Sequence, residues 1–168
     1  MRSMKVRNPF FIKGYHGSEY FCDREVETKK ILSAIENGRD VTLMAPRRYG
    51  KTGLIHNVFS KLGRGYVPVY MDIFQIPNMT EFTKAFSSRV VSALATPLEK
   101  KGKGLLAFFR SCRPTATPQA DGHVEFSFNI VPSEAEATLK DTFDFLESRK
   151  VEPVVAIDEF QQVREYPE

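Results

Sequence analysis

An α/β fold, with helices covering a mostly parallel sheet, is what the sequence predicts for these 168 residues. Three observations carry that expectation. Apolar runs of strand length alternate with helical patterns from residue 23 onward, and such alternation favours a parallel sheet with helices packed on it. One apolar run, 41–45, passes at once into a polar loop and then a helical pattern. Another, 153–157, ends in two consecutive carboxylates, Asp158 and Glu159.

Taken in order, residues 1–22 read as irregular, broken by Asn8-Pro9, Gly14 and Gly17. Asp23 is the expected N-cap of a helix reaching about Asn37, with Val26, Ile31, Leu32 and Ile35 apolar and Gly38 as its stop. Val41 to Ala45 reads as a buried strand, 46–50 as a loop and 51–62 as a helix halted by Gly63 and Gly65. Residues 66–74 read as a second strand. Thr80 is the expected cap of a helix whose stripe is Phe82, Ala85, Phe86, Arg89, Val90, Ala93 and Leu94. The Pro/Thr-rich stretch 113–122 reads as a loop, and 123–130 alternates as a strand does. Ser133 and Glu136 suggest a capping box, followed by a helix burying Leu139, Phe143 and Leu146.

Composition excludes several classes. Hydrophobic residues make up 42% and charged residues 27%, ordinary for a globular chain. A formal net charge of +3 is too small to argue for nucleic acid. Cys22 and Cys112 form no CxxC pair, and His16, His56 and His123 show no ligand spacing, so no zinc site is expected. No apolar run has signal-peptide or membrane-spanning length, so the expectation is a soluble, cytoplasmic protein with no membrane partner.

The decisive segment is Ala45-Pro46-Arg47-Arg48-Tyr49-Gly50-Lys51-Thr52, with Gly53 inside the helix start. It reads as a P-loop with alanine where the first glycine usually stands. Such a loop turns several backbone N–H groups toward one point, and the following helix adds its own free N–H groups and positive dipole end. Gly50 has no Cβ to obstruct close approach of phosphate. Lys51 supplies a cation for the β- and γ-phosphates, and Thr52 a hydroxyl for magnesium. A bare Gly-Lys-Thr tripeptide also fits a polar loop capping a helix; the strand before and the helix after are what favour the phosphate reading. At the other end, Asp158 is the expected magnesium carboxylate and Glu159 the general base for water. Taken alone, a solvated strand end explains such a pair as well.

With both motifs in hand, the chain resembles the AAA+/STAND-like P-loop ATPases, most closely the archaeal ATPase group. The strings that carry this are 8–10 (Asn-Pro-Phe), 21–25 (Phe-Cys-Asp-Arg-Glu), 45–52 and 156–161 (Ala-Ile-Asp-Glu-Phe-Gln). The resemblance implies a three-layer αβα P-loop NTPase fold, incomplete at the C-terminus. It implies that residues 1–22 form a linker near the nucleotide, with Phe10 and Arg24 beside the adenine. Residues 23–168 would be the N-terminal part of the ATPase domain, ending after the acidic (Walker B) strand. It implies ATP and Mg2+ as ligands, and hydrolysis that drives conformational change in a C-terminal region. The fragment itself is expected to turn over weakly. A low-turnover nucleotide switch and a DNA-associated ATPase are the alternatives.

Unpaired strand edges lead to an expectation of self-association, and a protein partner is expected. Nucleic acid has no support beyond small basic clusters. Asp72 is expected to orient a loop or to cap Asn78, and Gln161 and Gln162 to lie on a surface helix.

Overall fold

In the computed structural model, the described residues are 15, 17, 21, 23–46, 48–96, 105–110, 112, 114–119 and 124–167. Phe10 and Arg47 therefore lie outside them. The chain divides into two compact units, 1–64 and 65–168.

The first unit contains α1 (Glu25–Glu36) and α2 (Lys51–Ser60). α1 stops where Gly38, at φ +62°, donates its N–H to Ile35 O at 3.0 Å. Its N-cap is Arg24 rather than the expected Asp23, and no side chain caps it. Ala34, Leu54 and Val58 are buried. Two buried polar groups join the helices, Asn57 Nδ2 donating to Thr28 Oγ1 at 3.0 Å.

Residues 41–45 do not form the expected strand; no ladder partner is found for them among the described residues. A strand exists only through its neighbour, and without one this apolar run stays open to solvent, with Met44 90% exposed.

The second unit runs β1 (Tyr66–Asp72), α3 (Met79–Leu94), α4 (Leu105–Phe108), β2 (Pro114–Pro118), β3 (Val124–Phe128), α5 (Ala135–Glu147) and β4 (Glu152–Asp158), closing with a 3-10 helix at Phe160–Glu165. β1 and β4 are parallel, with Tyr66 opposite Glu152 and Asp72 opposite Asp158. Helices with this small parallel sheet make an α/β fold. β2 and β3 form a separate antiparallel pair. The stretch expected to be a loop is thus half of a hairpin, and 124–128 is not a strand of the parallel sheet. Prolines at both ends of β2 hid it, since proline is a turn signal in a one-dimensional reading.

The prolines inside β1 and β4 fall where they cost no ladder bond. Glu152 N donates to Gly65 O at 2.9 Å, and Ile73 N donates to Asp158 O at 3.2 Å. With the register, these bonds turn the polar backbone groups of Glu152, Val154, Ala156 and Asp158 toward β1. Pro68 and Pro153 therefore occupy outward positions, where the missing N–H would face away from the partner strand.

One face of the pair, including Val69 and Met71, enters the core with Phe82, Phe86, Val90 and Val91 of α3. The α3 stripe is rotated from the expected one: Arg89 and Ala93 are exposed, while Thr83, Ser87 and Val91 are buried. The cap is Asn78, not Thr80. Extended backbone at Asn78 lets its Oδ1 accept from Glu81 N at 2.9 Å. The Ser133–Glu136 box is replaced by a 3-10 turn, Pro132–Glu134, in which the Glu134 carboxylate accepts from Val131 N at 3.3 Å. On α5, Phe145 is fully buried and Phe143 half-exposed, because Ser87 of α3 and Thr142 of α5 pair through their hydroxyls at 2.7 Å and draw the Thr142 face inward. Phe109, Phe128 and Phe145 join α4, the hairpin and α5, with ring centroids 4.8 and 5.8 Å apart around Phe109.

Candidate functional site

In the first unit, Gly50 is the N-cap of α2, at φ +72° and ψ +24°. That left-handed conformation costs an L side chain roughly 1–2 kcal/mol, which explains glycine there. Tyr49 N donates to Pro46 O at 3.3 Å, tightening the loop, and Leu54 N donates to Gly50 O at 2.9 Å, opening the helix. The amides of Lys51, Thr52 and Gly53 precede any carbonyl four residues back within the helix, so they form its anion-favouring end.

Two cations hold the loop's carbonyls. Lys51 Nζ donates to Ala45 O at 3.2 Å. Arg24 Nη1 donates to Tyr49 O at 2.7 Å, while its Nε bonds Glu27 Oε1 at 3.1 Å. The Glu27 carboxyl is held below its ordinary range, first by its own backbone N–H and then by the Arg24 charge. An open groove of about 850 Å³ runs between α1 and residues 39–45, bordered by Arg24, Glu27, Ala45 and Lys51.

On another side of α2 lies an aromatic group. Tyr15 stacks near His56, with centroids 6.1 Å apart, and its hydroxyl reaches Ser60 Oγ at 3.1 Å. The Phe21 ring lies 3.6 Å from where a Cβ on Gly53 would stand.

In the second unit, the parallel strands β1 and β4 both end in aspartate. Asp158 is buried; its Oδ2 accepts from the Tyr70 hydroxyl at 3.1 Å and its Oδ1 from Glu159 N at 3.0 Å. Tyr70, Asp72 and Asp158 share one face, because side chains alternate along each strand and Asp72 is the register partner of Asp158. Asp72 Oδ1 accepts from Phe74 N at 2.9 Å and so orients the following loop, as expected. Glu159 turns the chain into the 3-10 helix with φ +57°, and its carboxylate accepts from Gln161 Nε2. Gln161 is exposed on that short helix.

The predicted site residues thus gather in two places. Arg24, Ala45, Pro46, Arg48, Tyr49, Gly50, Lys51, Thr52 and Gly53 form the loop and its support in the first unit. Asp158 and Glu159 form the strand end in the second. Among the described residues no group of three or more His, Cys, Asp or Glu side chains is arranged to hold a metal. No helix among them is long and apolar enough to cross a membrane. Tyr70 was not legible in the sequence, since its role depends on a register between strands 88 residues apart.

Backbone strain marks the same segments. Asp23, Arg48 and Glu159 are the non-glycine residues at positive φ among those described. Each falls in one of the strings 21–25, 45–52 and 156–161. Such conformations cost of order 1–3 kcal/mol and collect at functional sites.

No curated protein and no solved structure matched the chain. A family model did: that of an ATPase domain predominantly from Archaea, over residues 21–168. The match includes the loop and the acidic strand end alike, and the chain belongs to this archaeal-type ATPase family of the P-loop NTPase superfamily.

Proposed function

We propose that the chain binds ATP with magnesium through the loop Ala45–Gly53 and hydrolyses it using Glu159. Membership of an ATPase family supports nucleotide binding at the coarse level. The observation that carries the finer reading is the loop itself: a left-handed Gly50 opening α2, with Lys51 folded back on Ala45 O.

In this reading the amides of Gly50 to Gly53 bind phosphate oxygens, and Arg47, Arg48 and Tyr49 complete the loop around them. Lys51 exchanges the Ala45 carbonyl for the β- and γ-phosphates. Phe10 and Arg24 belong to the nucleotide's surroundings, with 1–22 as a linker and 23–168 as ATPase domain; a family match beginning at residue 21 supports that division.

Thr52 and Asp158 are the proposed magnesium ligands. The donor chemistry fits: magnesium takes one or two hard oxygen ligands from protein and fills its octahedron with water and phosphate. Asp158 offers hard carboxylate oxygens and Thr52 a hydroxyl oxygen. When bound, the ion neutralises phosphate charge. Glu159 accepts the proton of the attacking water, and the nucleotide state moves a C-terminal region.

The contact between Glu159 and Gln161 favours a second reading, a nucleotide switch that turns over little, because it engages one of the two oxygens of the general base. Calorimetry with Mg-ATP tests binding: Lys51→Ala should weaken it by about tenfold or more. Unchanged affinity would remove the loop from the site. Phosphate release from Glu159→Gln and Gln161→Ala separates the readings, since a switch gains turnover when Gln161 is truncated and an active ATPase does not.

A further inference from the structure

An arginine at the N-cap of α1 is out of place for helix stability. N-caps favour Ser, Thr, Asp and Asn, and the positive dipole end disfavours a cation. Arg24 makes no side-chain cap bond to its own helix. Its guanidinium instead spans Glu27 Oε1 and the Tyr49 carbonyl, the latter at 2.7 Å, short enough for a charge-assisted bond.

The bonded carbonyl belongs to the peptide that joins Tyr49 to Gly50. That peptide is trans, as are all the described ones. In a planar trans peptide the C=O and N–H point in opposite directions. Fixing the Tyr49 carbonyl on Arg24 therefore fixes the Gly50 N–H pointing away from Arg24. The same link stabilises Gly50 at φ +72°, a conformation that a free glycine populates along with many others. Lys51 holds a second carbonyl, that of Ala45, but the next residue is Pro46, which has no N–H to aim.

We propose that Arg24 is a positioning residue of the phosphate loop, aiming the Gly50 N–H at the anion through the Tyr49 carbonyl while Glu27 holds the guanidinium in place. The inference rests on the phosphate-loop reading and refines the placement of Arg24 beside the nucleotide. Arg24 acts through the peptide, not by touching the base. A preset amide costs no reorganisation when phosphate arrives, which is how oriented backbone dipoles give affinity.

The probes are ADP, which carries a base, and inorganic pyrophosphate, which does not. Arg24→Gln should weaken both by the same factor, about tenfold, equal to about 1.4 kcal/mol. Arg24→Lys should fall between, since an ammonium can reach one acceptor but cannot bridge two with a planar fork. The Gly50 amide cross-peak, read by NMR without ligand, should shift in Arg24→Gln and return toward its native position in Arg24→Lys. Should Arg24→Gln fail to fold, Arg24→Lys and Glu27→Gln carry the same measurements. Weakened ADP binding with unchanged pyrophosphate binding would overturn the proposal in favour of a direct base contact. Unchanged binding of both would overturn it outright. If the native protein bound neither, the phosphate-loop reading would fail first, and this inference with it.

Discussion

The Tyr70 hydroxyl donates to Asp158 Oδ2 at 3.1 Å, tying the middle of one parallel strand to the last residue of its neighbour. Tyr70→Phe removes that donor and keeps the ring. Because the acceptor is a buried carboxylate, the loss should cost about 1–2 kcal/mol in chemical denaturation. If Asp158 ligates magnesium, Mn2+ affinity measured by EPR in the presence of nucleotide should also fall, by about tenfold. A variant with native stability and native Mn2+ affinity would show that the hydroxyl orients nothing.

Gly50 and Gly53 should respond oppositely to alanine. Among the described residues a Cβ at Gly50 meets only Arg24 Nη1, at 3.8 Å, so the positive φ decides. Gly50→Ala should lose about 1–2 kcal/mol of stability, and Gly50→Asn less, since asparagine tolerates the left-handed region. Thermal and urea unfolding read both.

Gly53 lies in the first turn of α2, where a Cβ would make ordinary contact with Phe21 at 3.6 Å. Gly53→Ala should therefore raise stability by about 0.5–1 kcal/mol through helix propensity. A loss on unfolding would mean that the Phe21 ring cannot give way.

Ser87 and Thr142 bury a hydroxyl pair between α3 and α5. Thr142 also donates to Thr138 O at 2.8 Å, which spends its proton, so Ser87 is the donor of the pair. Thr142→Val strands the Ser87 hydroxyl and should cost about 1–3 kcal/mol, whereas adding Ser87→Ala to it should recover part of the loss. A double-mutant cycle reads the coupling, and strict additivity would mean that the pair contributes nothing.

Alkaline pH should weaken the second unit. Burial, followed by the Glu134 charge, pushes the Cys112 thiol up, and burial pushes the Tyr166 phenol up. Both groups become charged on losing a proton, so the unfolded chain ionises first. Their contribution is complete below about pH 8.5 for the thiol and about 10 for the phenol, and declines as pH rises through the folded values. Urea midpoints from pH 8 to 11 should fall, and Cys112→Ala with Tyr166→Phe should flatten the decline. Parallel curves for native and doubly substituted protein would refute this.

Helices α1, α2, α3 and α5 and the two motif strings were legible because their signals are local, whereas the one-turn α4 carries no such signal. Gly38 stops α1 and Gly50 opens α2 through conformations written in single residues. What was not legible depends on partners distant in sequence. Residues 41–45 have strand composition, but composition supplies no neighbour. β2 looks like a loop until its antiparallel partner is known. Apolar spacing favoured Phe143 over Phe145, because hydropathy cannot see that Thr138 and Thr142 are fully buried and that Thr142 is satisfied by other hydroxyl and carbonyl groups.

The outward placement of Pro68 and Pro153 gives the β1–β4 ribbon a direction of growth. Along the outer rim of β1 the donors at Tyr66, Tyr70 and Asp72 are interrupted midway by Pro68, so an incoming strand would meet a gap at its centre. On β4 the interruption falls at the very start, and Val155 and Ile157 present consecutive donors beyond it. Any strand that enlarges this sheet therefore has its better template beside β4, and the polypeptide flanking the acidic end is the one placed to feel its arrival.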